Sequence, residues 1–139
     1  MKKLYQYVIT RAERIRRRNE NKAQVTVDVR ITIALKEWVD NGEYLRRGAS
    51  TSSAARFCNV SEAQLQYYFR TIIGVRFSQW IKALRIEEAK ALMLEYPQMP
   101  LSLIRERVGI PDKANFRRMF AEIEGRSPSE WRESMARGK

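Results

Sequence analysis

Histidine is absent from this 139-residue chain, and cysteine occurs once. Without His, no imidazole base, no Ser-His-Asp arrangement and no His zinc ligand can be assembled. A single Cys excludes an intramolecular disulfide and a thiolate cluster. Cys58, set among apolar residues, is expected to be a small buried thiol in a reducing compartment rather than a redox sensor. No window approaches the roughly 20 apolar residues that cross a bilayer, and Leu4–Ile9 is too short and too polar for a signal sequence. The chain is therefore expected to be soluble and cytoplasmic, with no metal and no cofactor. Nor is an enzyme expected, because no nucleophile with a base and no phosphate loop can be found.

Negative charge is scarce as well. Lys and Arg number 27 against 16 Asp and Glu, a formal net charge of +11. Such an excess implies a polyanionic partner: nucleic acid, acidic lipid or an acidic protein. Residues 1–30 hold nine of the basic side chains and three of the acidic ones. This block reads as a DNA-backbone arm, a membrane-proximal basic segment or a solvated lead-in. With 44% hydrophobic residues, two small subdomains fit the length better than one large domain.

What the chain does contain is a copy of part of itself. Slid by 51 residues, Ala63, Leu65, Phe69, Ile72, Gly74, Ser78 and Trp80 fall on Ala114, Phe116, Phe120, Ile123, Gly125, Ser129 and Trp131. A repeat of that size means one supersecondary unit used twice.

Along the chain, residues 1–22 can form a basic helix with Leu4, Tyr7, Val8, Ala12 and Ile15 near one face. Val25, Val27, Val29, Ile31 and Ile33 alternate like a strand, yet Asp28 can cap a helix running through Leu35, Trp38 and Val39 to Asn41-Gly42. The helix is the better reading, because a lone strand would have no partner. Short helices are expected over Thr51–Cys58 and Ser102–Val108, each followed by a turn, Asn59-Val60 and Gly109-Ile110-Pro111. Second helices then open at caps Ser61, with Gln64 as box partner, and Asp112, and they stop at Gly74 and Gly125. Between the units lies Phe77–Glu95, ended by Pro97. Ser127, Pro128 and Glu130 open a last helix toward Met135.

Asn59 and Gly109 are residue types that enter the left-handed region cheaply, which a sharp helix-turn-helix needs. After each turn, Leu65, Phe69 and Ile72, or Phe116, Phe120 and Ile123, share one face at i, i+4, i+7 and are expected in the core. The opposite faces carry Glu62, Ala63, Gln66, Tyr67 and Arg70 in the first copy, and Lys113, Ala114, Arg117, Arg118 and Ala121 in the second. Gln pairs bidentately with adenine and Arg with guanine, while Lys and Arg neutralise phosphates. The first helix carries little charge and must rely on polar and van der Waals contacts. The intervening helix would span roughly 28 Å, against about 34 Å for one turn of B-DNA, so both second helices could enter successive major grooves.

From about Asp28 to Ser134 the chain resembles the DNA-binding domain of the AraC/XylS family of bacterial transcription regulators. The second unit carries the strongest match: Leu103-Ile104, Val108-Gly109-Ile110, Asp112, Phe116, Arg118, Phe120, Gly125, Ser127-Pro128 and Trp131-Arg132. Leu84 to Lys90 is similar to that family's connecting helix. The resemblance implies base-reading positions at Ala63, Gln66 and Tyr67 in the first recognition helix and at Lys113, Ala114, Arg117 and Arg118 in the second. Ser61, Arg70, Arg76 and Asp112 are expected at the DNA backbone. Three departures stand out. Arg105 replaces a small residue and must snorkel outward or widen the helix angle; Ile110 and Asn115 replace residues that are commonly aromatic; and the first turn is one residue shorter. Thirty N-terminal residues cannot enclose a small-molecule pocket, so no effector domain is expected in this chain.

The expected fold is all-α: two helix-turn-helix subdomains joined by a long connecting helix, seven core helices plus a basic N-terminal segment. The expected divisions are 1–27, 28–76, 77–96 and 97–139. The expected function is a sequence-specific transcription regulator of double-stranded DNA, a monomer or weak dimer, with RNA polymerase as a candidate second partner. The alternative is a protein-interaction or membrane-tethered module with only non-specific DNA affinity.

Overall fold

The computed structural model describes Thr10 and residues 22–138. The basic helix expected over residues 1–22 lies, but for Thr10 and Lys22, outside the described residues. Among the described residues there are seven α-helices and no strand. In order they are α1 Lys22–Asp40, a 3-10 turn Glu43–Leu45, α2 Thr51–Cys58, α3 Glu62–Tyr68 prolonged by a π turn Phe69–Ile73, α4 Phe77–Glu95, α5 Leu101–Arg107, α6 Lys113–Glu124 and α7 Pro128–Arg137. None of these helices is long and apolar enough to cross a membrane. The chain divides into two units, Met1–Ile81 and Lys82–Lys139, so the boundary runs through α4 rather than at either of its ends.

In α1 the helical period decides burial. Ile31, Leu35 and Trp38 are almost fully buried while Ile33, part of the strand-like alternation, is 56% exposed. That period also corrects the expected cap: Asp28 lies inside the helix, which begins at Lys22, and is buried at 5% exposure. It stands one turn before Ile31, on the face that turns inward. Thr32 donates its hydroxyl hydrogen to the Asp28 carbonyl at 2.8 Å, so the 2.5 Å contact between Thr32 and Tyr68 has the phenol as donor. Burial pushes the Tyr68 phenol well above its ordinary value despite that hydrogen bond. Tyr68→Phe is expected to lower stability by about 1 kcal/mol, since it leaves an acceptor without its donor. Urea unfolding checks this; an unchanged midpoint would mean that the pair contributes nothing.

Unit 1 is built on aromatic rings. Trp38 meets Tyr44, Phe77 and Trp80 at centroid distances of 6.5, 5.7 and 6.2 Å. Cys58 is buried as expected, and burial pushes its thiol up to about 11. In unit 2, Phe120 meets Trp131 edge-on at 5.9 Å, as Phe69 meets Trp80 at 5.1 Å in unit 1. Because Trp80 and Trp131 are counterparts in the repeat, the first turn of α4 closes unit 1 in the way that α7 closes unit 2.

Two boundaries differ slightly from expectation. α5 begins at Leu101, after Pro100, whose fixed φ suits a residue leading into a helix, and α7 extends past Met135 to Arg137. One expected core residue is not buried: Ile123 is 40% exposed, whereas its counterpart Ile72 is 1% exposed. Ile123 stands in the last turn of a regular α-helix that outruns its core. In the first copy the π turn gives both Ile72 and Ile73 to the interior.

Candidate nucleic-acid interface

Both helix pairs turn by the same hydrogen bonds. In unit 1 the amides of Asn59 and Val60 bond to the carbonyls of Arg56 and Ala55; in unit 2 those of Gly109 and Ile110 bond to Glu106 and Arg105. Asn59 and Gly109 hold φ values of 58° and 77°, and Asn59 is the one described non-glycine residue with positive φ. These are Schellman-type stops, which satisfy carbonyls that the helix end leaves orphaned. From Asn59 the next cap is Ser61, and from Gly109 it is Asp112. The first turn is thus one residue shorter, as expected, yet the conformation that reverses the chain is the same.

The caps fix where each following helix begins. Ser61 and Gln64 form a reciprocal box, with bonds of 3.0 and 2.9 Å. Asp112 accepts from the Asn115 amide at 2.7 Å. Ser61 keeps a hydroxyl proton to offer a phosphate, while the Asp112 carboxylate has acceptors only.

The seven base-reading candidates, Ala63, Gln66, Tyr67, Lys113, Ala114, Arg117 and Arg118, are all exposed, while Leu65 and Phe116 beside them are buried. In unit 1, Gln66, Arg70, Arg76 and Ser78 line one open cleft of about 700 Å³. Arg70, which lines that cleft, lies over the Tyr67 ring at 5.5 Å, which holds a cation and a flat ring together on the exposed face. The two exposed alanines leave room for a backbone or a thymine methyl to approach.

In unit 2 the acidic residues of α6 are tied down. Lys82 donates to Glu122 at 3.4 Å, and Lys90 donates to Glu124 at 2.5 Å and to Glu87 at 3.1 Å. Burial lowers the Lys90 value, but the bonds to Glu124 and Glu87 outweigh it and raise the net value, so Lys90 stays charged. The bonds from Ser127 hold the Glu130 carboxyl below its ordinary range, with Arg117 and Arg126 adding to the effect. The N-terminal part of α6 is left cationic, through Lys113, Arg117 and Arg118.

Two details lie outside the sequence reading. Asn115, half-buried, accepts a 2.8 Å bond from Arg118 and orients its guanidinium. The i, i+3 spacing behind a capping residue was the available signal for this pair. Arg105 reaches across its own turn: its Nε donates to the Pro111 carbonyl at 3.4 Å. In unit 1 the same place belongs to Ala55, 2% exposed. Among the described residues no group of His, Cys, Asp and Glu could hold a metal ion.

Comparison with known proteins agrees with this architecture. A sequence model of the family described as "helix-turn-helix domain" matches residues 54–134. The chain is 29% identical over 97 residues to the MmsAB operon regulatory protein of Pseudomonas aeruginosa, covering 70% of this chain and 31% of that protein. It is 36% identical over 66 residues to the transcriptional regulator YisR of Bacillus subtilis, covering 48% of this chain and 23% of the relative. The chain therefore spans a third or less of the relatives it matches. Among solved structures, the C-terminal domain of the response regulator AraT from Geobacillus stearothermophilus superposes with a TM-score of 0.64 at 26% identity, covering 78% of this chain and 84% of that one. The C-terminal domain of the response regulator yesN from Fusobacterium nucleatum does so at 0.61 and 26%, covering 70% and 97%.

Proposed function

Because the chain belongs to the AraC-type helix-turn-helix family, we propose that it is a sequence-specific regulator of transcription that binds double-stranded DNA, each unit reading one major-groove segment. The observation that carries this reading is the pairing of two turns of the same hydrogen-bond pattern and left-handed reversal with two exposed polar faces of different chemistry. On α3 the face offers Gln66 and Tyr67, with Arg70 beside them. On α6 it offers Lys113, Arg117 and Arg118, while the helix's acidic residues are paired away from it.

The chemistry assigns different tasks to the two halves. Gln66 can meet an adenine edge with two hydrogen bonds, and Arg118 can meet guanine in the same bidentate manner. Arg70, Arg76 and Ser61 are suited to phosphates, which fix register without reading sequence. A polar half and a cationic half make an asymmetric, two-part site the natural target.

Selection of bound duplexes from a random library, repeated at two salt concentrations, tests the proposal. A two-part motif should emerge, bound about a thousandfold or more tighter than bulk DNA. That advantage should persist as salt weakens all binding together. Binding that falls equally on every sequence would instead mean a non-specific module.

A further inference from the structure

The two turns share a third feature. Arg30, on α1, donates through Nη2 to the carbonyl of Asn59 at 3.2 Å. Arg85, on α4, donates through Nη1 to the carbonyl of Gly109 at 3.4 Å. Both acceptors are the left-handed residues at which the chain reverses. Each arginine is followed by an isoleucine that is 0% exposed, Ile31 and Ile86. An Arg-Ile pair thus sends its apolar member into the core of its own unit and its guanidinium to the turn of the same unit.

This is more than the sequence repeat restated. The arginines stand 55 positions apart, the turn residues 50 and the caps 51. The connecting segments have changed length, and the same donor still reaches the same carbonyl. A turn carbonyl of this kind has lost its helical partner, and a guanidinium satisfies it from a helix that is itself anchored in the core.

We propose that Arg30 and Arg85 are positioning residues for base reading: each ties its turn to the long helix of its unit and so sets the angle at which α3 or α6 meets a base edge. The proposal rests on the reading of each unit as a base-specific DNA binder. Bidentate contacts tolerate displacements of only about 0.5 Å before they loosen. Each such contact discriminates between bases by roughly fivefold to a hundredfold. Releasing the turn therefore costs selectivity in one half of the site and leaves the other half untouched.

The test uses the full chain and a random duplex library, with half-sites assigned by which positions Gln66→Ala and Arg118→Ala each relax. Arg30→Met keeps the aliphatic stem and removes the guanidinium. It should relax base preference in the first half-site by about tenfold, and Arg85→Met should do the same in the second. Arg30→Lys and Arg85→Lys, which keep a donor, should recover most of the loss. The dependence of affinity on salt should stay unchanged in every variant. Unaltered preference, or equal relaxation of both halves, overturns the proposal. A salt slope lower by about one per substitution would make these residues phosphate contacts instead, which also overturns it. Should Arg85→Met lose its helical circular dichroism, Arg85→Lys and the exposed Arg30→Met decide the matter. If the unsubstituted chain selects no motif, the DNA-reading assignment itself fails. If it selects one and the arginine variants leave it unmoved, only the positioning role fails.

Discussion

Replacing Gln66 and Arg118 together by alanine is expected to abolish selection of a common DNA motif while leaving non-specific binding nearly intact. Each side chain is exposed on its recognition helix, and Arg118 is already oriented by a 2.8 Å bond to Asn115. A good bidentate base contact contributes about 1–3 kcal/mol of discrimination. The two residues belong to different units, so their losses should add. Together they amount to about 2–6 kcal/mol, a selectivity factor of roughly thirty to twenty-five thousand. Only one positive charge is removed, so the salt slope should fall by about one at most. Band shifts with a selected motif and a scrambled competitor measure both quantities. Unchanged selection would defeat the assignment of these two positions, and a uniform loss on both duplexes would place Arg118 on phosphate rather than on a base.

The largest effect on stability is expected at Trp38. Its ring is 2% exposed and contacts Tyr44, Phe77 and Trp80. Trp38→Ala removes the residue that joins α1 to the 3-10 turn and to the first turn of α4, and it leaves a cavity that rigid neighbouring rings cannot refill. Substitutions of this kind cost about 3–5 kcal/mol, a large part of what holds a small unit folded. Denaturant unfolding followed by helical circular dichroism should register the loss in full, and a shift below about 1 kcal/mol would mean that the aromatic cluster repacks. Tyr96→Ala, at a residue 45% exposed, serves as the control.

The helix boundaries were legible because the chemistry that sets them is local. Thr51–Cys58, Phe77–Glu95 and Lys113–Glu124 coincide with the expected spans. The capping boxes at Ser61 and Ser127, the Asp112 cap and the positive φ of Asn59, Gly74, Gly109 and Gly125 all follow from residue type within a few positions. The candidate site was legible to the same depth: the period of 3.6 separated Leu65 and Phe116 from Gln66 and Arg117, and exposure in the structure follows that division.

Partnership across distance was not legible. Asp28 looked like a cap because the residues after it had a helical rhythm, but whether the residues before it joined the helix depended on what Ile31 and Leu35 packed against. Ile123 fell on the apolar face by period, but burial needs something to cover that face, and periodicity does not say where a core ends.

The sequence by itself determined that the chain is helical, that its helices pair in two helix-turn-helix units and which face of each recognition helix is polar, since each of these depends on residues within about one turn of one another. Only the tertiary structure decided that α4 is shared between the two units, that Arg105 bridges its own turn and that Arg30 and Arg85 hold the two turn carbonyls. Arg105 reaches its carbonyl across a reversal whose shape the folded turn sets. Arg30 and Arg85 reach theirs from 29 and 24 positions away, and a contact at that separation exists only once the core has brought the helices together.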